Sequence, residues 1–513
     1  MPRVNKGKIF FLANLFFIGG IFAGYQFPEK SGFFWLWFFL IIVSIWLLIK
    51  GETKKILVPA IFIFLAFALG VIRIDHTKTG CPTGYICDLS LANVSGYGTL
   101  NKCLLKDKIM AKCQLADLKI KDKIVGLRNY EGKMIVTLPF EDIGGYQIGD
   151  KLSFSGLVEK PENFNDFNYQ GYLLKDGVYA ILKKPQVNLL VQGKSASRNL
   201  TAVKKFKRFV LSTRENIEKR FAKLWKGKTL GLMRALLMGD KSYFSDDLKN
   251  NFQAIGVSHL VAISGMHITI ITNLLLSFFF FLGFSRRPVF GGIILALILF
   301  VVFIGTPVSA VRALLMGSLG FWAKLLGRKI QVNNLLFFTA SVMLLHNPLL
   351  LFYDVGFQLS FCAVWGIFNL LPTLENFSTS IPKLAGIKQI ANISIAAQLT
   401  TLPVALYHFH YFSLISILAN VLVFWVVFPI ILLGIVALSL SFINFGLANL
   451  FALVTKLGVL YLLGVVETLG KFQWAGVEIE KIQWQWLGLL VVIIGILFFQ
   501  GKKLENKKLS VYQ

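Results

Sequence analysis

Nine apolar runs follow one another through the C-terminal half of this chain with only short polar breaks, near 260–284, 289–305, 308–326, 332–352, 355–371, 389–408, 413–441, 446–470 and 484–500. A helix crosses the hydrocarbon core of a bilayer in about 20 apolar residues, so each run reads as a transmembrane helix. Three more come first: one directly after the basic start MPRVNKGK, then 33–49 and 56–74. The first has no clear small-x-small cleavage site and reads as a retained signal anchor. A 513-residue chain that is 55% hydrophobic and holds 48 phenylalanines could not hide that surface from water. The fold class expected is a polytopic α-helical membrane protein of about twelve transmembrane helices with a small β domain.

Charge sets the orientation. With Arg3, Lys6 and Lys8 inside, the loop carrying Lys50, Lys54 and Lys55 is also inside, and the chain emerges outside after residue 74. Nine further spans end inside. Arg286, Arg287, Arg328, Lys329, Lys383, Lys388 and the tail lysines Lys502, Lys503, Lys507 and Lys508 then all fall on the cytoplasmic side, as do both termini. The regions expected are three helices over 1–74, an extracytoplasmic β domain over 75–190, a basic amphipathic helix over 191–230, a polytopic domain over 231–500 and a basic tail over 501–513.

The 75–190 segment is polar, with short alternating runs and Gly-Gly and Gly-Asp turns, which predicts a small antiparallel β domain, a barrel being one form it could take. Cys81, Cys87, Cys103 and Cys113 lie in it. An even set on the outer side reads as two disulfides, most simply Cys81 with Cys87 and Cys103 with Cys113, though three connectivities are open. A zinc site is the weaker alternative, for want of a C-x-x-C pair or neighbouring histidines, and no metal or other cofactor is expected. Cys362 reads as packing.

The formal net charge of +27 implies anionic partners. It is densest between 183 and 228, where Lys204, Lys205, Lys207, Arg208 and Arg214 flank apolar residues at helical spacing. One reading is a helix lying on anionic lipid; the other is a track for phosphates, with those five residues as its contacts.

Between 234 and 271 the chain passes from polar to apolar, and the sequence HLVAISGMH at 259–267 puts His259, Ser264, Gly265 and His267 where a span should begin. Later spans add Arg312, Asp354, Gln358, Gln398, His408 and Asn420. Taken singly, each has a bland role, such as an Arg312–Asp354 pair or an amide bridging two helices for about 1 kcal/mol. Together, with Arg234 and Asp240 before them, they are what a lined conduit requires, because polar groups are tolerated at that depth only against protein or water.

The blocks RALLMGD at 234–240, GVSHLVAISGMH at 256–267, SAVRA at 309–313 with Met316, DVGFQLS at 354–360 and QLTTLP at 398–403, with Phe412, Ser413 and Asn420, resemble the ComEC competence proteins. The segment from Val158 to Tyr179, with Phe164, Phe167 and Tyr172, is similar to that family's extracytoplasmic domain of OB type. The resemblance implies an inner-membrane channel, in the bacterial cytoplasmic membrane, that passes one DNA strand inward during natural transformation. Implied partners are single-stranded DNA, a cytosolic helicase-like motor and a pilus-type DNA receptor. Many members carry a C-terminal metallo-β-lactamase-like domain. No H-x-H-x-D-H run appears here, so this chain is not expected to be the nuclease, although a separate protein could supply one. No catalytic residue is expected.

A rival reading is an intramembrane serine hydrolase with Ser264 as nucleophile and His259, His267 or His408 as base. The glycine that precedes the serine in G-x-S-x-G is missing, and no H-E-x-x-H is present. A small-solute transporter would show a repeated span pattern between halves, and none is visible.

Overall fold

The computed structural model describes residues 6–26, 53–77, 84–89, 92–105, 110–122, 126–139, 149–164, 167–191, 202–378, 386–472, 474–479 and 484–511. In chain order, helices α1 (Lys6–Gln26) and α2 (Thr53–Asp75) precede strands β1 (Ala92–Leu105), β2 (Met110–Asp122), β3 (Gly126–Tyr130), β4 (Lys133–Pro139) and β5 (Lys151–Glu159), helix α3 (Tyr169–Leu174) and strand β6 (Val178–Val191). Next come α4 (Ala202–Leu224), α5 (Gly227–Met238), α6 (Asp246–Ala254), α7 (Gly265–Phe281), α8 (Arg286–Phe303), α9 (Val308–Leu325), α10 (Val332–His346), α11 (Leu350–Tyr353), α12 (Val355–Phe377) and α13 (Ile387–Phe409). Strand β7 (Tyr411–Ser413), α14 (Ser416–Leu440), α15 (Phe445–Gly470), β8 (Gly476–Glu478) and α16 (Trp484–Val511) complete it.

Six described helices, α1, α9, α12, α13, α14 and α15, are long and apolar enough to cross a membrane, and shorter apolar stretches lie in α7, α8, α10 and α16. The expected span at 33–49 lies outside the described residues. The run expected at 332–352 is broken: α10 stops at His346, and Asn347 turns extended ahead of Pro348, which disfavours helical backbone in the residue before it. The 413–441 run is one helix, α14, that holds Pro429 in its interior. The last run continues as α16 to Val511, so the basic tail is helical over most of its length.

The chain forms two compact units, one of Met1–Leu104, Met110–Asn199 and Gly327–Phe357, the other of Leu105–Ile109, Leu200–Leu326 and Gln358–Gln513. In the first, α1 and α2 cross at glycines. A Cβ on Gly20 would collide with the Phe67 carbonyl and one on Gly70 with the Phe17 carbonyl, the close backbone approach that holds helices together where lipid supplies no hydrophobic drive. α10 packs on α1 through Phe11 against Phe337, ring centroids 4.9 Å apart, and through Asn334, which donates to the Gly7 carbonyl at 3.1 Å.

Strands β1, β5, β6, β4 and β2 close into a five-membered ring through a β1–β2 pairing, with β3 attached outside on β2. The β4–β6 pair is parallel and β5 is antiparallel to both its neighbours, a connectivity compatible with an OB-type barrel. β2 buries Cys113 and Leu115 where it pairs with β4, but Leu118 and Ile120 where it pairs with β3. The two-residue alternation changes phase at Asp117, whose φ of 53° is a left-handed conformation that aspartate tolerates. Cys87 and Cys113 are buried in the barrel and each is disulfide-bonded; Cys81 and the side chain of Cys103 lie outside the described residues.

In the second unit α14 and α15 form the centre, burying Val423, Val427, Ile431, Val459 and Val466. Phe221 and Trp225 at the end of α4 are inserted against them, the indole donating to the Ala452 carbonyl at 3.2 Å. The other half of α4 exposes Phe206 and Phe209.

Candidate functional site

α5 is buried along nearly its whole length, so Arg234 is only 4% exposed. Its guanidinium donates to Asp240 Oδ2 at 2.7 Å, lies 3.1 Å from Glu218 Oε1 on α4 and stacks 4.1 Å above the Tyr243 ring. Arg214 joins the same knot, 3.4 Å from Glu218. The RALLMGD block thus pins α4, α5 and the turn at 240–243 together, and the charges of Arg234, Asp240 and Arg214 are satisfied within the protein. Burial raises the Asp240 carboxyl, but the hydrogen bonds from Ser242 and the charge of Arg234 outweigh it and leave it below the ordinary carboxylate range. A carboxyl depressed in the folded state stabilises at neutral pH, and that contribution is lost as pH falls below about 4. Asp240→Asn is therefore expected to lower stability at pH 7 by about 1–3 kcal/mol and to flatten the acid limb of a pH–stability curve, read by thermal unfolding in detergent. Lys241, which a sequence reading passes over, stands beside this knot, and burial draws its amine below the usual lysine range.

Lys205 is exposed on α4; the side chains of Lys204, Lys207 and Arg208 lie outside the described residues. Farther along, Arg220 stacks 3.9 Å over Phe442 and donates to the Ser441 carbonyl, so the C-terminal half of α4 is docked on the α14–α15 connection.

The remaining blocks meet pairwise. Ser264 caps α7, with its N–H donating to His267 Nδ1 at 3.2 Å and its hydroxyl at the same distance from that nitrogen. His267 is 2% exposed, and its Nε2 has no hydrogen-bond partner. The Ser264–His267 contact is thus a helix cap, reciprocal as capping boxes are. From α9, Ser309 donates to the Ile263 carbonyl at 2.5 Å, while Arg312 lays its Nη2 3.6 Å from where a Gly265 side chain would start. Arg312 donates to the Ser360 carbonyl of α12, lies 5.8 Å from the Phe361 ring and leaves Nε without an acceptor. Among the described residues no carboxylate pairs with it, although it is 7% exposed.

Gln358 on α12 accepts from His408 Nε2 on α13 at 2.8 Å, and Gln398 on α13 accepts from Ser416 on α14 at 2.9 Å. Asn420, one turn beyond Ser416, keeps a buried Oδ1 with no partner. Gly256 faces Ser413 and Ser416, with room for no Cβ (2.7 Å from that of Ser416) and a φ of +71° that glycine alone adopts without strain. His259 is exposed, and its Nδ1 lies 3.2 Å from the Gly256 carbonyl.

Asp354 belongs to the other unit. One carboxylate oxygen accepts the Phe357 N–H at 2.7 Å and caps α12, and the other takes Lys175 from the barrel, both side chains being 8% exposed. The Arg312–Asp354 pair considered from the sequence is not formed.

The competence protein family model matches residues 236–504, more than half of the chain. The chain belongs to the competence protein family. A relative of this competence protein, ComE operon protein 3 of Bacillus subtilis (strain 168), is 30% identical over 300 residues, covering 57% of the chain and 36% of the relative. The matched region therefore takes in about a third of that relative's length. No solved structure matches. The polar blocks at 234–240, 256–267, 309–313, 354–360 and 398–403 lie in or at the edge of the family region, the basic residues at 204–214 precede it, and the family assignment does not favour the hydrolase reading.

Proposed function

We propose that this competence protein is a multi-pass, inner-membrane channel of about twelve spans, both termini cytoplasmic, that carries single-stranded DNA into the cytoplasm in natural transformation. The observation that carries this reading is Arg312. A guanidinium held on an apolar helix with one carbonyl acceptor and, among the described residues, no counter-carboxylate is costly unless an anion or water shares the site, and a phosphodiester supplies both charge and acceptors. The neighbouring polar groups come from separate helices, as the walls of a conduit would.

On this reading His259 stands at the outer approach, Ser264, Gly265 and His267 shape the head of α7, and Arg312, Gln358, Gln398 and Asn420 face the strand in turn. The barrel and Lys205 collect the phosphate backbone outside, with anionic lipid holding the rest of α4. A cytosolic helicase-like motor pulls and a pilus-type receptor delivers. In a transformable host, deleting this chain should leave labelled DNA bound at the surface but abolish the nuclease-resistant label inside; undiminished internal label would end the proposal.

A further inference from the structure

We infer that α4 and the connection between α14 and α15 form one docking surface for anionic phospholipid, an assignment that deepens the membrane reading above and rests on it. The apolar stripe of α4 recurs at helical spacing through Phe206, Phe209, Ile217, Phe221 and Leu224. Its end is covered by protein, with Phe221 fully buried against α14 and α15. Its start is not: Phe209 is 66% exposed, and Phe206 is exposed beside it. The connection is open in the same way. Phe442, Phe445 and Ile443, the last 84% exposed, lie in a stretch at 441–446 that holds no charged residue.

Depth decides what covers these rings. α14 and α15 are each long and apolar enough to cross the bilayer, so the turn joining them lies at one of its faces. Arg220 stacks 3.9 Å over the Phe442 ring and Lys223 lies 5.5 Å from that of Phe445, which brings both cations to the same depth, among headgroups. Lys219 and Lys223 are exposed, and neither meets a carboxylate among the described residues. Glu218, between them, is taken by Arg214 and Arg234. Rings in the acyl boundary with lysines and an arginine just above them match a leaflet whose phosphates carry net negative charge. A nucleic-acid strand would meet such cations in water, not at a turn between two membrane helices.

The test places the full-length protein, with Cys362 replaced by alanine and the β-domain cysteines kept, in phosphatidylcholine nanodiscs. Phe206→Cys or Ile443→Cys then carries an environment-sensitive fluorophore, quenched either by nitroxide-labelled lipid or by aqueous iodide. Both labels should be quenched by the lipid and shielded from iodide. At equal mole fraction, nitroxide phosphatidylglycerol should quench the label at position 443 more than nitroxide phosphatidylcholine does. Lys219→Gln and Lys223→Gln should each reduce that preference about fivefold, and high salt should abolish it. A lipid-quenched label at 443 with an iodide-quenched label at 206 overturns the docking of α4 while the membrane reading stands. Iodide quenching at both removes the membrane reading of α14 and α15 as well. Shielding at 206 that comes only with added single-stranded oligothymidine marks a nucleic-acid track and overturns the lipid surface, as does lipid quenching with no preference for phosphatidylglycerol.

Discussion

Replacing Asp354 with alanine should cost about 3–5 kcal/mol of stability, the largest structural effect expected of any single substitution in this chain. The carboxylate serves two partners at once. Without it, Lys175 keeps a charge in a site where its side chain is 8% exposed, with only the Tyr172 ring, 4.1 Å away, and its own solvation to offset the loss. The Phe357 N–H at the start of α12 loses its acceptor as well, worth about 1 kcal/mol more. Asp354→Asn keeps an acceptor for that N–H and should fall between the two. Because removing both members of a buried ion pair is often neutral, Asp354→Asn combined with Lys175→Met should regain most of the stability, measured by denaturant unfolding in detergent. If the double variant folds and restores uptake, Asp354 serves to dock the barrel's Lys175 turn, where Asn347 also donates to the Lys175 carbonyl at 2.8 Å. A double variant that folds but takes up no DNA would return Asp354 to the strand's path.

Arg312→Gln is the second large effect, and it falls on function. The glutamine can still donate to the Ser360 carbonyl, so abundance should remain near normal, but the cation is gone. Losing one charge-assisted contact of about 1.5–3 kcal/mol along the path corresponds to a drop in transport of roughly tenfold to a hundredfold. Arg312→Lys, which keeps the charge without the planar fork, should retain part of the activity. The measurement is nuclease-resistant label inside cells normalised to membrane-inserted protein, and full uptake by Arg312→Gln would take this residue out of the conduit.

Much of this arrangement could be read from the chain before its structure. The apolar runs announced the helices, two-residue alternation announced the strands, and polar residues inside apolar runs singled out Ser264, His267, Arg312 and Gln358 as candidates, because lipid makes such residues expensive. Partners were harder to see. Lys175 lies 179 residues from Asp354, and nothing local marks it among so many lysines. Ser309 and Ser416 look like ordinary small helix residues until the Ile263 carbonyl and Gln398 arrive opposite them. For Arg234 the charge was conspicuous in the sequence but its partners were not: they are Asp240 and Glu218, the latter from a helix that periodicity alone assigned to lipid or phosphate. The stop at His346 was written in Asn347–Pro348, and apolar length on both sides obscured it.

Whether the polar groups of α7, α9, α12 and α13 border one wet passage is tested most directly by thiol accessibility. Single cysteines at Ser309, Gln358 and Gln398, in a background where Cys362 is replaced by alanine and the β-domain cysteines are kept, would be treated with a charged, membrane-impermeant thiosulfonate, with and without single-stranded DNA. The expected result is fast modification at all three positions, slowed together by a single strand and not by duplex of the same charge. Three thiols that stay unreactive until the protein is unfolded would mean dry packing around each of them, and a channel along these helices would be contradicted.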